Sequence, residues 1–285
     1  MTAGIVLPQI LTGRRRRHWP ASAVLGLGII GVIVLMGALA PLIAPYDPNK
    51  LDFGAQTLAP SWQHLMGTDQ NGRDLFSRTL YGLRLDLAVV AVVTYVPLPI
   101  GIVVGSVAGY FGGKLDAVIS RLVDIVISFP FIVLVISIIA MVGPGLKGIL
   151  IGVPIVSWAL YTRLARADML LVRELPYMEA CTALGFSKPR TIFRHAIPNL
   201  VRNSLVYSTV DVMGNLLLLA SVSYLGLGAQ PPTPELGSII ADGQSYMLTA
   251  WWVVTLPALV LVALGVGVGI LGDSLSDGRL SGVVE

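Results

Sequence analysis

The sequence predicts an all-α membrane protein of six transmembrane helices with both termini cytoplasmic, and three observations carry that expectation. First, 55% of the 285 residues are hydrophobic and only 12% are charged, with a mean hydropathy of +0.80, which leaves too little polar surface to cover a soluble globule. Second, six apolar stretches fall at about 22–45, 85–109, 118–142, 146–166, 199–228 and 250–272, each near the roughly 20 residues that cross a bilayer as a helix. Hydrocarbon offers no partner to a peptide N–H or C=O, so each stretch must close its own hydrogen bonds as a helix. Third, with the N-terminus inside, fourteen Lys and Arg fall on the cytoplasmic side and five outside, as the positive-inside rule requires. The net charge of +3 is thereby a topology signal and carries no nucleic-acid reading.

The chain opens with a basic cytoplasmic tail, residues 1–21, holding Arg14, Arg15, Arg16, Arg17 and His18. It resembles the positive end of a signal peptide. The apolar part is too long for one, however, and Pro41, Pro45 and Asp47 stand where small residues would be cleaved, so the first span at 22–45 is expected to remain as an anchor. Residues 46–84 form a polar extracytoplasmic segment, in which Gly67 and Gly72 permit turns and the Asp and Arg residues cap or pair locally.

A five-helix core is expected over 85–272. In its first helix Gly101, Gly105 and Gly109 recur every four residues and give a bare strip for close helix packing, while Pro97 and Pro99 kink the chain. The third span opens with Arg121 and Asp124, three apart and able to pair, and carries Pro130. In the fifth span Tyr207, Asp211 and Asn215 recur at i, i+4, i+8 beside Ser204 and Ser208. Lipid cannot solvate such a stripe, so it faces either another helix or a watery pathway. After it, Pro231, Pro232 and Pro234 stop the helix in a stiff, solvated extracytoplasmic turn with Glu235 and Asp242. Residues 273–285 form a second cytoplasmic tail.

Two stretches, Gly26-Leu27-Gly28-Ile29-Ile30-Gly31 and Gly267-Val268-Gly269-Ile270-Leu271-Gly272, match G-x-G-x-x-G. Both lie inside apolar spans and not at a strand-to-helix turn, so they are packing glycines and no dinucleotide site. One cysteine, and histidines in three separate segments, give no support for a metal site.

The long polar break, residues 167–198, is where function concentrates. Between Arg163 and Arg202 it gathers seven basic residues. Pro176 suits a first helical turn and Gly185 a helix end; Ser187 can cap a second short helix, until Pro198 forces an exit into the fifth span. A compact elbow results. It contains Glu179-Ala180-Cys181-Thr182-Ala183-Leu184-Gly185 and His195-Ala196-Ile197-Pro198.

This string resembles the EAA loop of ABC-importer permeases: Glu179, Ala180, Gly185 and Pro198 fall in register, while Cys181, His195 and Ile197 replace the usual Ala, Ile and Leu. Gly67-Thr68-Asp69, Gly72-Arg73-Asp74 and Ser77-Arg78, with Gly226-Leu227-Gly228 and Pro231-Pro232, are similar to the C-type permeases of dipeptide and oligopeptide importers, and the likeness runs from about Leu51 to Gly278. The resemblance implies a type I ABC importer permease fold in a bacterial inner membrane and no catalysis by this chain. It also implies a second permease subunit, one or two ATPase subunits carrying ATP and Mg, and an extracytoplasmic substrate-binding protein. No G-x-x-x-x-G-K-[ST] phosphate loop occurs in the chain, consistent with ATP bound elsewhere. Carried over, Glu179 anchors the ATPase contact, Ala180 and Cys181 fit against it, Gly185 allows the bend, and His195 and Pro198 complete the coupling segment. Ser204, Tyr207, Ser208, Asp211 and Asn215 are the expected pathway lining. The alternative is an ion- or proton-coupled secondary transporter using Asp124 or Asp211, for which no inverted internal repeat is found.

Overall fold

A computed structural model describes residues 20–276; the basic run at 14–18 and the tail beyond 276 lie outside the described residues. The described chain folds into α1 (Ala21–Ala38), α2 (Ala40–Ile43), α3 (Leu75–Tyr95), α4 (Pro97–Phe111), α5 (Gly113–Ile127), α6 (Phe131–Val142), α7 (Leu146–Val172), α8 (Pro176–Ala183), α9 (Lys188–Arg190), α10 (Ile197–Tyr224), α11 (Leu236–Gly243) and α12 (Trp252–Ser276). Among the described residues, five helices are long and apolar enough to cross a membrane, or six if the bent pair α5–α6 is one span. Their direction alternates, so residues 46–74 and 225–251 gather at one end of the bundle and 173–196 at the other.

Three expected spans change shape. The second begins at Leu75, ten residues earlier than expected, because Ser77, Arg78 and Thr79 are polar yet buried by protein. Asp74 starts it by accepting the backbone N–H of Ser77 at 2.8 Å, a side-chain cap on an otherwise orphan donor. The third is two helices bent by 85°. Pro130 supplies no N–H and disfavours helical backbone in the residue before it, so Ser128–Pro130 ends α5 and starts α6 afresh. Within α5, Asp124 pairs with Arg163 of α7 at 3.5 Å, and not with Arg121 as expected. Asp116 meanwhile forms a two-pronged pair with Arg166. Two ion pairs thus bind this amphipathic helix sideways to α7.

The fifth span is longer than expected. Helix runs without interruption from Lys188 through Pro198 to Tyr224, and Thr191–Ala196 is a π-helical turn. Pro198 does not break it. The ring falls where the π turn gives way to α10, at an already irregular point of the hydrogen-bond ladder.

The glycine strip packs as its spacing predicts. A Cβ at Gly105 would collide with the carbonyl oxygen of Thr162 and lie 2.8 Å from the amide of Arg166, and one at Gly109 would meet Arg166 O and Met169 Cβ at 2.9 Å. Helix α4 therefore lies backbone to backbone on α7. The first and last spans do the same at Gly26, whose Cβ would come 3.0 Å from Gly267 O.

The turn after α10 is not the solvated one expected. Glu235 is fully buried and caps α11, accepting N–H bonds from Gly237 at 2.9 Å and Ser238 at 2.8 Å. Facing it, Asp86 of α3 accepts the amide of Leu236 at 3.3 Å. Burial pushes the Glu235 carboxyl above its usual range, against the pull of those two donors.

Candidate functional site: the elbow and the polar stripe

Pro176 opens α8 at its first turn. The helix then closes in a Schellman motif: Phe186 N–H reaches Cys181 O and Gly185 N–H reaches Thr182 O, both at 3.0 Å, with Gly185 at φ +71°. Only glycine takes that conformation without strain. Ser187 sits at the start of α9 as expected, although its backbone carbonyl does the bonding and its side chain makes no cap.

A stack of three side chains fixes the second arm. The Arg190 guanidinium lies 4.2 Å from the Phe186 ring centre, and the Phe186 and His195 rings are stacked at 5.3 Å. Asn199 then bridges the arms, donating to Tyr177 OH at 3.1 Å and to His195 O at 2.7 Å. Two cations tie the elbow to the end of α4: Arg173 donates to Gly109 O at 3.0 Å, and Lys188 lies 5.4 Å from the Phe111 ring centre. The elbow is thus one body with the ends of α4, α7 and α10.

The expected elbow residues divide by exposure. Glu179, Ala180, Gly185 and Pro198 are exposed, next to the exposed apolar side chains of Leu175, Leu184 and Phe193. Cys181 is buried under α8 beside Met178, and His195 is half-buried in the stack. The exposed surface of the elbow thus mixes apolar side chains with two carboxylates, Glu174 and Glu179, and with the cations Lys188, Arg190 and Arg194. Phe186, Arg190, Tyr177 and Asn199 were not singled out by sequence reasoning; stacking partners nine residues apart across a turn leave no periodic signal.

The polar stripe of α10 is shared between packing and a cavity. Asp211 accepts from Tyr161 OH of α7 at 2.8 Å and from Asn215 at 3.1 Å, and Asn215 also donates to Thr94 of α3 at 2.9 Å. These bonds clamp three helices. Ser204 and Ser208 are buried, the latter donating back to Leu205 O at 2.7 Å. Tyr207, Asp211 and Asn215 also line a cavity of about 410 Å³, with Gly214, Leu160 of α7 and Phe131 and Ile132 of α6. Ser204 and Ser208 do not reach it. Phe131 and Ile132 escaped the sequence reading because the break at Pro130 is what turns the start of α6 toward α10.

Comparison with known proteins places this geometry. Residues 101–278 match the model of the binding-protein-dependent transport system inner membrane component, and residues 21–60 match the N-terminal transmembrane domain of oligopeptide transport permease C. The dipeptide transport system permease protein DppC of Haemophilus influenzae is 34% identical over 261 residues, covering 90% of this chain and 88% of its own. The di/tripeptide transport system permease protein DppC of Pseudomonas aeruginosa is 36% identical over 258 residues, covering 88% and 85%. The glutathione transport system permease protein GsiD of Pectobacterium atrosepticum is 34% identical over 263 residues, covering 92% and 86%. Among solved structures, an inward-facing form of the MetNI methionine ABC transporter aligns with a TM-score of 0.51 at 21% identity, over 71% of this chain and 96% of that one, a likeness of fold alone. The chain belongs to the binding-protein-dependent transport system inner membrane components, as a multi-pass ABC importer permease of the C type.

Proposed function

We propose that this permease imports peptides, with its 173–196 end in the cytoplasm seated on an ATPase subunit and its 46–74 end facing a substrate-binding protein. The observation that carries the reading is the elbow. Its exposed surface presents Leu175, Leu184 and Phe193 together with Glu179 and other charged side chains, and the elbow is hydrogen-bonded and stacked onto the ends of α4, α7 and α10. A body of that kind transmits a push on one face to three membrane helices together. The chain itself is non-catalytic, and ATP is bound by the partner ATPases.

In this reading a second, different permease covers the face formed by α6 and α10, so that the cavity beside Tyr207, Asp211 and Asn215 becomes part of a pathway between the two. Closure of the ATPases around ATP moves the elbows and opens the pathway outward; hydrolysis resets it inward. The peptide class rests on relatives named for dipeptides, di- and tripeptides and glutathione. Family membership sets aside a secondary transporter, and the two aspartates of that alternative are engaged otherwise, Asp124 with Arg163 and Asp211 with Tyr161.

Glu179→Lys reverses the charge of the α8 carboxylate, and Gly185→Asp forces a Cβ and a charge into positive φ. Each variant inserts and assembles with its partners. Reconstituted in proteoliposomes, it hydrolyses ATP without dipeptide uptake. Normal ATP-driven uptake by both would overturn the assignment of the elbow.

A further inference from the structure

A second cavity, of about 380 Å³, lies at the opposite end of the bundle and is lined by Arg73, Arg78, Gln230, Ser238 and Asp242 among others. Its chemistry is set by two buried guanidiniums. Arg73 is 6% exposed and Arg78 is 3% exposed, and a buried cation needs a close anion. One carboxylate serves both: Asp69 Oδ2 lies 2.6 Å from Arg73 Nε and 3.5 Å from Arg78 Nε. Its other oxygen is committed to the amides of Asn71 and Arg73 at 2.8 and 3.0 Å. Arg78 also donates to Pro48 O at 2.9 Å, but its Nε has no hydrogen-bond partner.

The neighbouring acids are occupied. Asp74 holds His64 and the cap of α3, and Glu235 holds the start of α11. That leaves Asp242, whose Oδ2 stands 3.9 Å from an Arg73 terminal nitrogen, beyond hydrogen-bonding reach, with its side chain 48% exposed. Burial raises its carboxyl above the usual range although Arg73 and Arg78 pull it down. Asp242 is a loose counter-ion, placed where a better one can displace it.

We propose that this cavity is a carboxylate-binding site, in which the free carboxylate of a peptide-sized solute displaces Asp242 and pairs with Arg73 and Arg78. Guanidinium forks match carboxylates in charge and shape, and the volume falls in the range of small-molecule sites. A small solute is therefore favoured over the acidic side chain of a docked protein. The site rests on the proposed function for its outward orientation, and it gives the permease a first contact with cargo before the stripe on α10.

The test uses the assembled transporter in lipid nanodiscs without its binding protein, titrated calorimetrically with alanyl-alanine and with alanyl-alanine amide. The acid binds at least tenfold tighter than the amide, as expected for one lost charge-assisted pair. Asp242→Asn, at a half-exposed position beyond hydrogen-bonding reach of Arg73, strengthens binding of the acid about fivefold and leaves the amide unchanged. Arg78→Gln removes the preference for the acid. Equal binding of acid and amide, no binding of either, or no effect of Asp242→Asn overturns the site. In a second arm with the binding protein added, an effect of Asp242→Asn on its docking alone assigns the carboxylate to that protein and overturns the solute. ATP-driven uptake by the same transporter, reconstituted in proteoliposomes with its binding protein, is read separately, so a transporter that works yet ignores Asp242→Asn sinks only this site.

Discussion

At the scale of single residues, Glu235 carries an unusual load: full burial as a helix cap opposite Asp86. Because burial raises its pKa in the folded chain, the native state keeps a proton that the unfolded state has released. Its stabilisation is complete below the unfolded glutamate value of about 4.3 and is lost as pH rises through the folded value. Melting temperature in detergent should thus fall as pH rises above the unfolded glutamate value, and Glu235→Gln should flatten that slope. A slope unchanged by the substitution would mean that Glu235 is ionised in the fold. The sequence showed the glutamate after three prolines but not its burial, since Asp86 lies 149 positions earlier and no local pattern joins them. Gly185 was legible for the opposite reason: a helix end is a local event, fixed by one positive φ.

At the scale of elements, close helix contact was legible wherever small residues recur at helical spacing. Gly105→Leu should destabilise the protein by about 1–3 kcal/mol or prevent its folding, because even a Cβ meets backbone of α7 that cannot yield. Thermal unfolding in detergent checks this, with Gly28→Ala and Gly269→Ala as controls, since a Cβ at either meets nothing within 4 Å. The controls should stay within about 0.5 kcal/mol of the parent. Hydropathy misplaced the start of α3 and fused α5 with α6, and both errors have one physical origin. A window average treats Ser77 and Arg78 as water-facing when protein solvates them, and it reads across Pro130 because proline is not strongly polar.

At the scale of the whole molecule, the question is how a platform at one end moves a stripe near the middle. Helix continuity from Lys188 to Tyr224 gives a direct mechanical route, and the π turn at Thr191–Ala196 sits at its base, where Ile197 N–H bonds back five residues to Ile192 O. Such turns arise from one extra residue in a helix and concentrate at functional sites. Here the π turn lies between the stacked elbow and the stripe of Tyr207, Asp211 and Asn215. Deleting Phe193, whose side chain is exposed, should restore α-helical spacing and remove the π turn that joins the elbow to α10. The variant should insert and assemble, and its partners should hydrolyse ATP, while uptake in proteoliposomes falls at least tenfold; Phe193→Ala, which keeps the count, should transport normally. Transport by the deletion variant at the parent rate would show that the π turn between elbow and stripe does not matter, and with it this joint would lose its part in the lever.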